Sequence, residues 1–265
     1  MEKFNKRIPI IILAGGKGER FVSKENFPKQ LAKVSNHPII IEIILYYYKN
    51  GFNFFILPLG YKKKLFTQFF LDKKNINKYN FNILKQEKLL LNNSKINILF
   101  FDAGIKSNKL ERIYKSIKFC KLSDKLIGIC YGDIFANISF DKQLKLLNDK
   151  SNQGVLVGYN EYSPYGHLKL FKNKILGFRE KPVLKDPINI GFYFFNKKTL
   201  SKIRLNKKKD FETDFLPKLA KNKKLVCYMH KGYHFTVNTQ KDLVNVKKMY
   251  RNNKNLFKKL WEKIF

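Results

Sequence analysis

The sequence predicts an α/β protein with a doubly wound, mainly parallel sheet and a β-rich second half. Three observations point there. An apolar run, Ile10–Leu13, leads straight into a glycine turn at Gly15, Gly16 and Gly18. Apolar strand-like runs then alternate with helix-like segments as far as Gly158. Beyond that point hairpin-like stretches replace the alternation.

The elements follow in order. Ile10–Leu13 has no polar residue, as a strand buried on both faces requires. Leu31–Val34 reads as a short strand before a turn at Ser35-Asn36-His37. Pro38 opens a helix that runs to about Asn50, with Gly51 as its stop. Phe54–Leu57 is the second parallel strand, and a helix through Leu71 follows Gly60-Tyr61-Lys62. Residues 72–95 are rich in Lys and Asn, with a strand at Phe81–Leu84. Ile96–Phe101 is a strand ending at Asp102-Ala103-Gly104, and Ser107 or Asn108 caps a helix to Phe119. Leu126–Cys130 is an apolar strand that delivers Tyr131-Gly132-Asp133 at its carboxyl end, where open α/β sheets bind ligands. A helix over Phe140–Asn148 and a strand over Val155–Gly158 complete the first pattern.

In the second half, Tyr165–Phe171 and Lys174–Phe178 form a hairpin around Asn173. Ile188–Phe195 is a strand whose glycine lets a ligand approach. Thr213–Leu219 is helical, Leu225–Tyr228 and Tyr233–Val237 are strands, and Leu243–Tyr250 is a helix. The last helix, Leu256–Ile264 with Trp261 and Phe265, packs either on its own domain or on a second copy in a homo-oligomer. The whole chain, 1–265, reads as one domain. Its parts are a first half to residue 150, a second half over 151–250 and the terminal helix over 251–265.

The glycine turn carries the first chemical signal. Glycines let backbone N–H groups close on a ligand, and Lys17, Arg20 and Lys29 stand within reach to clamp phosphate oxygens. The string is neither GxxxxGK[ST] nor a complete GxGxxG, since Phe21 stands where the last glycine would be. By themselves the glycines equally suit an ordinary strand-to-helix turn. Likewise Asp133 alone suits a turn, and Glu180-Lys181 suits an exposed pair before Pro182.

The longer string, Leu13-Ala14-Gly15-Gly16-x-Gly18-x-Arg20 with Pro28-Lys29, resembles the sugar-1-phosphate nucleotidyltransferases, in particular those that use CTP and glucose 1-phosphate. Tyr131-Gly132-Asp133, Glu180-Lys181-Pro182 and Ile188-Asn189-Ile190-Gly191-Phe192 match in the same order, so the likeness spans roughly residues 7–250. The resemblance implies a Rossmann-like sheet with an acceptor-binding second half. It implies an NTP, here CTP, and a sugar 1-phosphate as substrates, with Mg²⁺ as cofactor. UTP, dTTP and GTP remain open, as do phosphorylated non-sugars. The product implied is an NDP-sugar for surface polysaccharide or lipopolysaccharide synthesis. Leu13, Ala14, Gly15, Gly16, Lys17, Gly18, Arg20 and Gly104 would bind the nucleotide. Arg20, Lys29 and Asp133 would carry catalysis, and Asp133 would hold the metal. Glu180, Lys181, Asn189 and Gly191 would bind the sugar phosphate, with Gly191 leaving it room.

Three positions depart from the family pattern. Glu19 stands where Thr is usual. Asn238 replaces a second metal-binding Asp, with Asp242 as a nearby substitute carboxylate. The loop between Gly104 and Lys109-Leu110 lacks much of the base-reading segment. Asn238 therefore keeps a second hypothesis in play, a nucleotide-sugar-binding homologue with weak or no turnover.

Composition bounds the rest. A chain of 265 residues with 44% hydrophobic content supports a real core, and no apolar run is long enough for a membrane span. Residues 1–14 lack the order of a secretory signal. Cys120, Cys130 and Cys227 show no metal-type spacing, which fits reduced thiols in the cytoplasm, and Cys120 and Cys130 read as core side chains. His37, His167, His230 and His234 show no ligand spacing. The net charge of +34 is spread from Lys3 to Lys263 with no RNA or DNA motif, so a specific nucleic-acid partner is not expected. A positive field does help collect polyanionic substrates.

Overall fold

The computed structural model describes residues 8–252, except 17, 19, 22–26, 86–89, 120–121, 123–124 and 204–208. The expectations for Lys17, Glu19, Cys120 and the helix over Leu256–Ile264 lie outside the described residues.

The central strand is β1 (Ile10–Leu13), buried along its whole length. Its side chains alternate, with Ile10 and Ile12 in one core and Ile11 and Leu13 in the other. Around it lie β2 (Phe54–Leu59), β3 (Phe81–Ile83), β4 (Ile96–Asp102) and β5 (Leu126–Tyr131), all parallel. From the second half come β7 (Gly154–Tyr159), β10 (Ile188–Asn196) and β11 (Leu225–His230). The eight strands run in the order β3-β4-β2-β1-β5-β10-β7-β11. Only β10 is reversed, antiparallel to both β5 and β7.

Helices cover both faces, as the fold class requires. On one side lie α1 (Ile39–Lys49), α2 (Lys63–Leu71), α3 (Lys73–Tyr79), α5 (Phe140–Lys145) and α8 (Gln240–Asn252). On the other lie α4 (Lys109–Phe119), α6 (Lys197–Leu200) and α7 (Leu216–Lys221). Helix α1 is apolar all round and buried from Ile39 to Tyr47, so it is a core helix rather than a surface one. Within it Glu42 is fully buried, and Ser35 donates a hydrogen bond to one carboxylate oxygen. Burial pushes that carboxyl up to about 8 against the pull of Ser35. Asn108 rather than Ser107 caps α4. Its Oδ1 accepts from the Glu111 N–H while Glu111 accepts from the Asn108 N–H, a reciprocal capping box.

Two small pairs stand outside the main sheet. β6 (Ile134–Ala136) pairs with β12 (His234–Thr236), and β8 (His167–Phe171) pairs with β9 (Lys174–Arg179) in the expected hairpin. The latter ribbon has no strand partner but itself among the described residues.

Several expectations need correction. Leu31–Val34 is not a strand: Lys29–Leu31 forms a 3₁₀ turn, and only Lys33 makes a bridge, to Pro38. Four residues between a tight turn and a proline leave no room for a ladder. The helix from Phe140 ends at Lys145, and the Thr213–Leu219 helix starts earlier, with a π-helical turn at Phe211–Phe215. β6, α3 and α6 were not expected from the sequence.

Candidate active site

A cleft of about 790 Å³ opens at the carboxyl ends of β1 and β5 and beside the start of α4. Gly15, Gly16, Gly18 and Arg20 form one wall, and Ser107, Asn108, Lys109 and Arg112 another. Lys29, Asp133 and Asn238 form the base, with Asp210 and Tyr131 beside them.

The 3₁₀ turn at Lys29–Leu31 aims Lys29 across the cleft. Its ammonium pairs with the Asp133 carboxylate and donates to Asn238 Oδ1 at 2.9 Å. Both side chains of the ion pair are mostly buried. Asp133 is held from its own backbone, whose carbonyl accepts from the Val237 N–H at 3.0 Å. Asn238 is oriented through Nδ2, which donates to Thr236 Oγ1 at 3.1 Å. One carboxylate and one amide oxygen therefore converge on a single cation.

That convergence bears on Mg²⁺. Among the described residues no three acidic, His or Cys side chains gather to cage a metal. Mg²⁺ prefers one or two carboxylates plus substrate phosphates, so Asp133 and Asn238 fit it. Asp242 does not substitute. Its carboxylate accepts from the Asn238 and Thr239 N–H groups, while Thr239 Oγ1 accepts from the Asp242 N–H. Asp242 is thus a helix cap for α8.

Beside the base, Tyr131 donates to Glu212, Tyr131 and Tyr193 share a hydrogen bond of 3.1 Å, and Asn189 Nδ2 donates to Tyr193 at 2.6 Å. Burial would raise the Glu212 carboxyl, but hydrogen bonds from Lys109 and Tyr131 outweigh it and hold it below its usual value. Its neighbour Asp210 moves up, through burial and then through Glu212. Asn189 thus joins the cleft indirectly. Gly191 does not leave room for a ligand: a Cβ there would lie 2.5 Å from the Tyr131 ring, which fills the space. Its φ of +76° gives a second reason for glycine.

Glu180 and Lys181 stand apart. They follow β9, are more than 60% exposed, and do not line the cleft. Gly104 lies behind the wall, its carbonyl accepting from Arg112. Arg112 itself was missed by sequence reasoning. It is 3% exposed and donates to the carbonyls of Pro58, Gly15, Gly104 and Ser107 at 2.8–3.1 Å. The signal was faint: two glycines, Gly15 and Gly60, far apart in sequence. A Cβ on either would strike the guanidinium, at 2.1 and 2.4 Å.

Comparison with known proteins finds one family and its fold. The family model "Nucleotidyl transferase" matches residues 10–258. A "probable glucose-1-phosphate cytidylyltransferase" of Bacillus subtilis is 29% identical over 251 residues, covering 94% of this chain and 98% of that protein. A D-glycero-alpha-D-manno-heptose 1-phosphate guanylyltransferase of Aneurinibacillus thermoaerophilus is 26% identical, covering 88% and 94%. Among solved structures, HddC of Yersinia pseudotuberculosis complexed with GMP-PN superposes with a TM-score of 0.64 at 19% identity, over 92% of this chain and 99% of that one.

Proposed function

The chain belongs to the nucleotidyl transferase family, as a sugar-1-phosphate nucleotidyltransferase, and from that premise we propose that it joins CTP to a sugar 1-phosphate. The products are a CDP-sugar and pyrophosphate. The observation that carries the proposal is the meeting of Lys29, Asp133 and Asn238 at the base of a glycine-walled cleft. Similarity to the Bacillus relative supports cytidine, and the guanylyl relative makes GTP the first competitor.

A phosphate oxygen of the sugar phosphate attacks the α-phosphorus of the NTP. A new P–O bond forms, and the bond to pyrophosphate breaks with its electron pair on the leaving group. The attacking phosphate has a second pKa of about 6 and is already ionised, so no general base is required. The chain must therefore position two polyanions and neutralise charge. The Gly15–Gly16 backbone faces the triphosphate, and Arg20 holds its outer oxygens. Lys29 would move to the α-phosphate, and Asp133 and Asn238 would then hold Mg²⁺. When bound, Mg²⁺ supplies further charge neutralisation on the phosphate oxygens. Residues 151–250 supply the acceptor side, with Glu180 on a sugar hydroxyl and Lys181 on the sugar phosphate. The product would serve surface polysaccharide or lipopolysaccharide synthesis from the cytoplasm.

Asn238 favours one second reading, nucleotide binding with little turnover, because an uncharged ligand holds Mg²⁺ less tightly. Pyrophosphate release with Mg²⁺, crossing five NTPs with a panel of sugar 1-phosphates, tests the proposal. Release with CTP and one acceptor is the expected result. Release with another NTP overturns the cytidine assignment. Calorimetric NTP binding without any release supports the second reading.

A further inference from the structure

We infer that Arg112 is a positioning residue for the nucleotide, and that it acts by locking the ends of three strands into one frame. The inference rests on the function proposed above. Its substance is the pattern of partners. The guanidinium reaches Gly15 after β1, Pro58 within β2, and Gly104 and Ser107 after β4. Those partners lie up to 97 positions away in sequence. No other described side chain donates to all of these segments.

Arg112 has a structural role, since an apolar side chain in its place would leave four carbonyls without their donor; the same contacts also fix the backbone beside the cleft. Here the guanidinium donates to carbonyls and to no carboxylate. Asp102, the nearest acid, is occupied by Lys63 and by the Gly104 N–H. What the guanidinium does supply is a rigid planar fork that a flexible ammonium cannot copy. The surrounding backbone is shaped to admit it, since neither Gly15 nor Gly60 has space for a Cβ.

The consequence for the site follows from peptide geometry. In a trans peptide the C=O and the next N–H point in opposite directions. With the Gly15 carbonyl fixed on Arg112, the Gly16 N–H is turned away from it. Gly16 lines the cleft, and among the described residues nothing lies within 4 Å of where its Cβ would be. Arg112 therefore sets the orientation of a donor that a phosphate or base can use. The Tyr61 N–H donates to the same carbonyl at 3.2 Å and completes the clamp.

The test uses the full chain as Arg112→Lys and Arg112→Ala. NTP affinity is measured by calorimetry, steady-state kinetics are run with both substrates, and melting curves are recorded. Arg112→Lys should weaken NTP binding and raise the NTP KM at least tenfold, while the acceptor KM stays within twofold. Added guanidinium should restore part of the loss in Arg112→Ala, or in Arg112→Met where the alanine variant does not fold. Unchanged NTP affinity in a folded Arg112→Lys protein overturns the inference and leaves the proposed function standing. Absence of NTP binding by the wild-type chain overturns both.

Discussion

The glycine turn after β1 and the Glu180-Lys181 pair after β9 both carry motif residues, yet they are held in opposite ways. The turn is backed by a buried guanidinium, and its neighbouring lysine is locked to Asp133 and Asn238. The pair stands on a two-stranded ribbon whose large side chains Leu168, Leu170, Phe171, Ile175, Leu176 and Phe178 are each more than half exposed. Ribbons of two strands are marginal in water without a surface to pack on. The glycine-turn end of the cleft is therefore held by the core, and the Glu180-Lys181 pair is not. On the proposed function the glycine turn meets its ligand with backbone geometry already in place, whereas Lys29 must exchange Asp133 and Asn238 for a phosphate and the Glu180-Lys181 pair must order when the acceptor arrives.

Asp133→Asn should have the largest effect, because it removes the carboxylate that pairs with Lys29 at the base. A fall in kcat of about 10²–10³-fold is expected in steady-state kinetics, with a lowered melting temperature because Lys29 keeps a mostly buried charge without its partner. Retained activity would mean that preorganisation at this end is not catalytic.

Glu42 sharpens the contrast through stability. Its folded value is about 8 and its ordinary value is 4.5. The folded state thus holds the proton more tightly, and its contribution is intact below pH 4.5 and is lost as pH rises through 8. Denaturation series should show the stability of wild type relative to Glu42→Gln falling by on the order of 3 kcal/mol between pH 5 and pH 8. Both proteins keep the opposite slope of His37 and His234, which burial holds down at about 4, so the difference between the two proteins reads Glu42 alone.

Lys181→Ala should raise the KM for the sugar phosphate about tenfold, the value of one charge-assisted hydrogen bond, and leave the NTP dissociation constant unchanged. An equal loss at both substrates would break the comparison. The smallest effect is expected for Phe178→Ser, with unfolding free energy within about 0.5 kcal/mol of wild type. A larger loss would show that the ribbon is buried against something in solution.

Much of the sheet was legible because parallel strands buried on both faces must be apolar throughout, as Ile10–Leu13 and Leu126–Cys130 are. Asp133 was legible for the same reason, being delivered by a strand end. Leu31–Val34 misled because a four-residue apolar run fits a turn as well as a strand. The ribbon was legible as a hairpin but not in its exposure. Its strands were found, but an alternating pattern such as Leu168 and Leu170 says nothing about whether that face is covered. Arg112 was out of reach of pattern altogether. Its partners are carbonyls, which every residue carries, so no side-chain chemistry marks them.

The reversed strand also fixes an order of assembly. β10, over Ile188–Asn196, is inserted between β5, which ends at Tyr131, and β7, which ends at Tyr159. Until residue 196 has left the ribosome, the β1–β5 layer keeps an open apolar edge at β5, and β7 has nothing to join it to. The nascent chain must therefore hold a sticky, half-built sheet through some sixty further residues of synthesis, which is on the order of several seconds. Contacts this distant along the chain make folding slow, and a chain cut before β10 would expose that edge for good, inviting strand pairing between molecules.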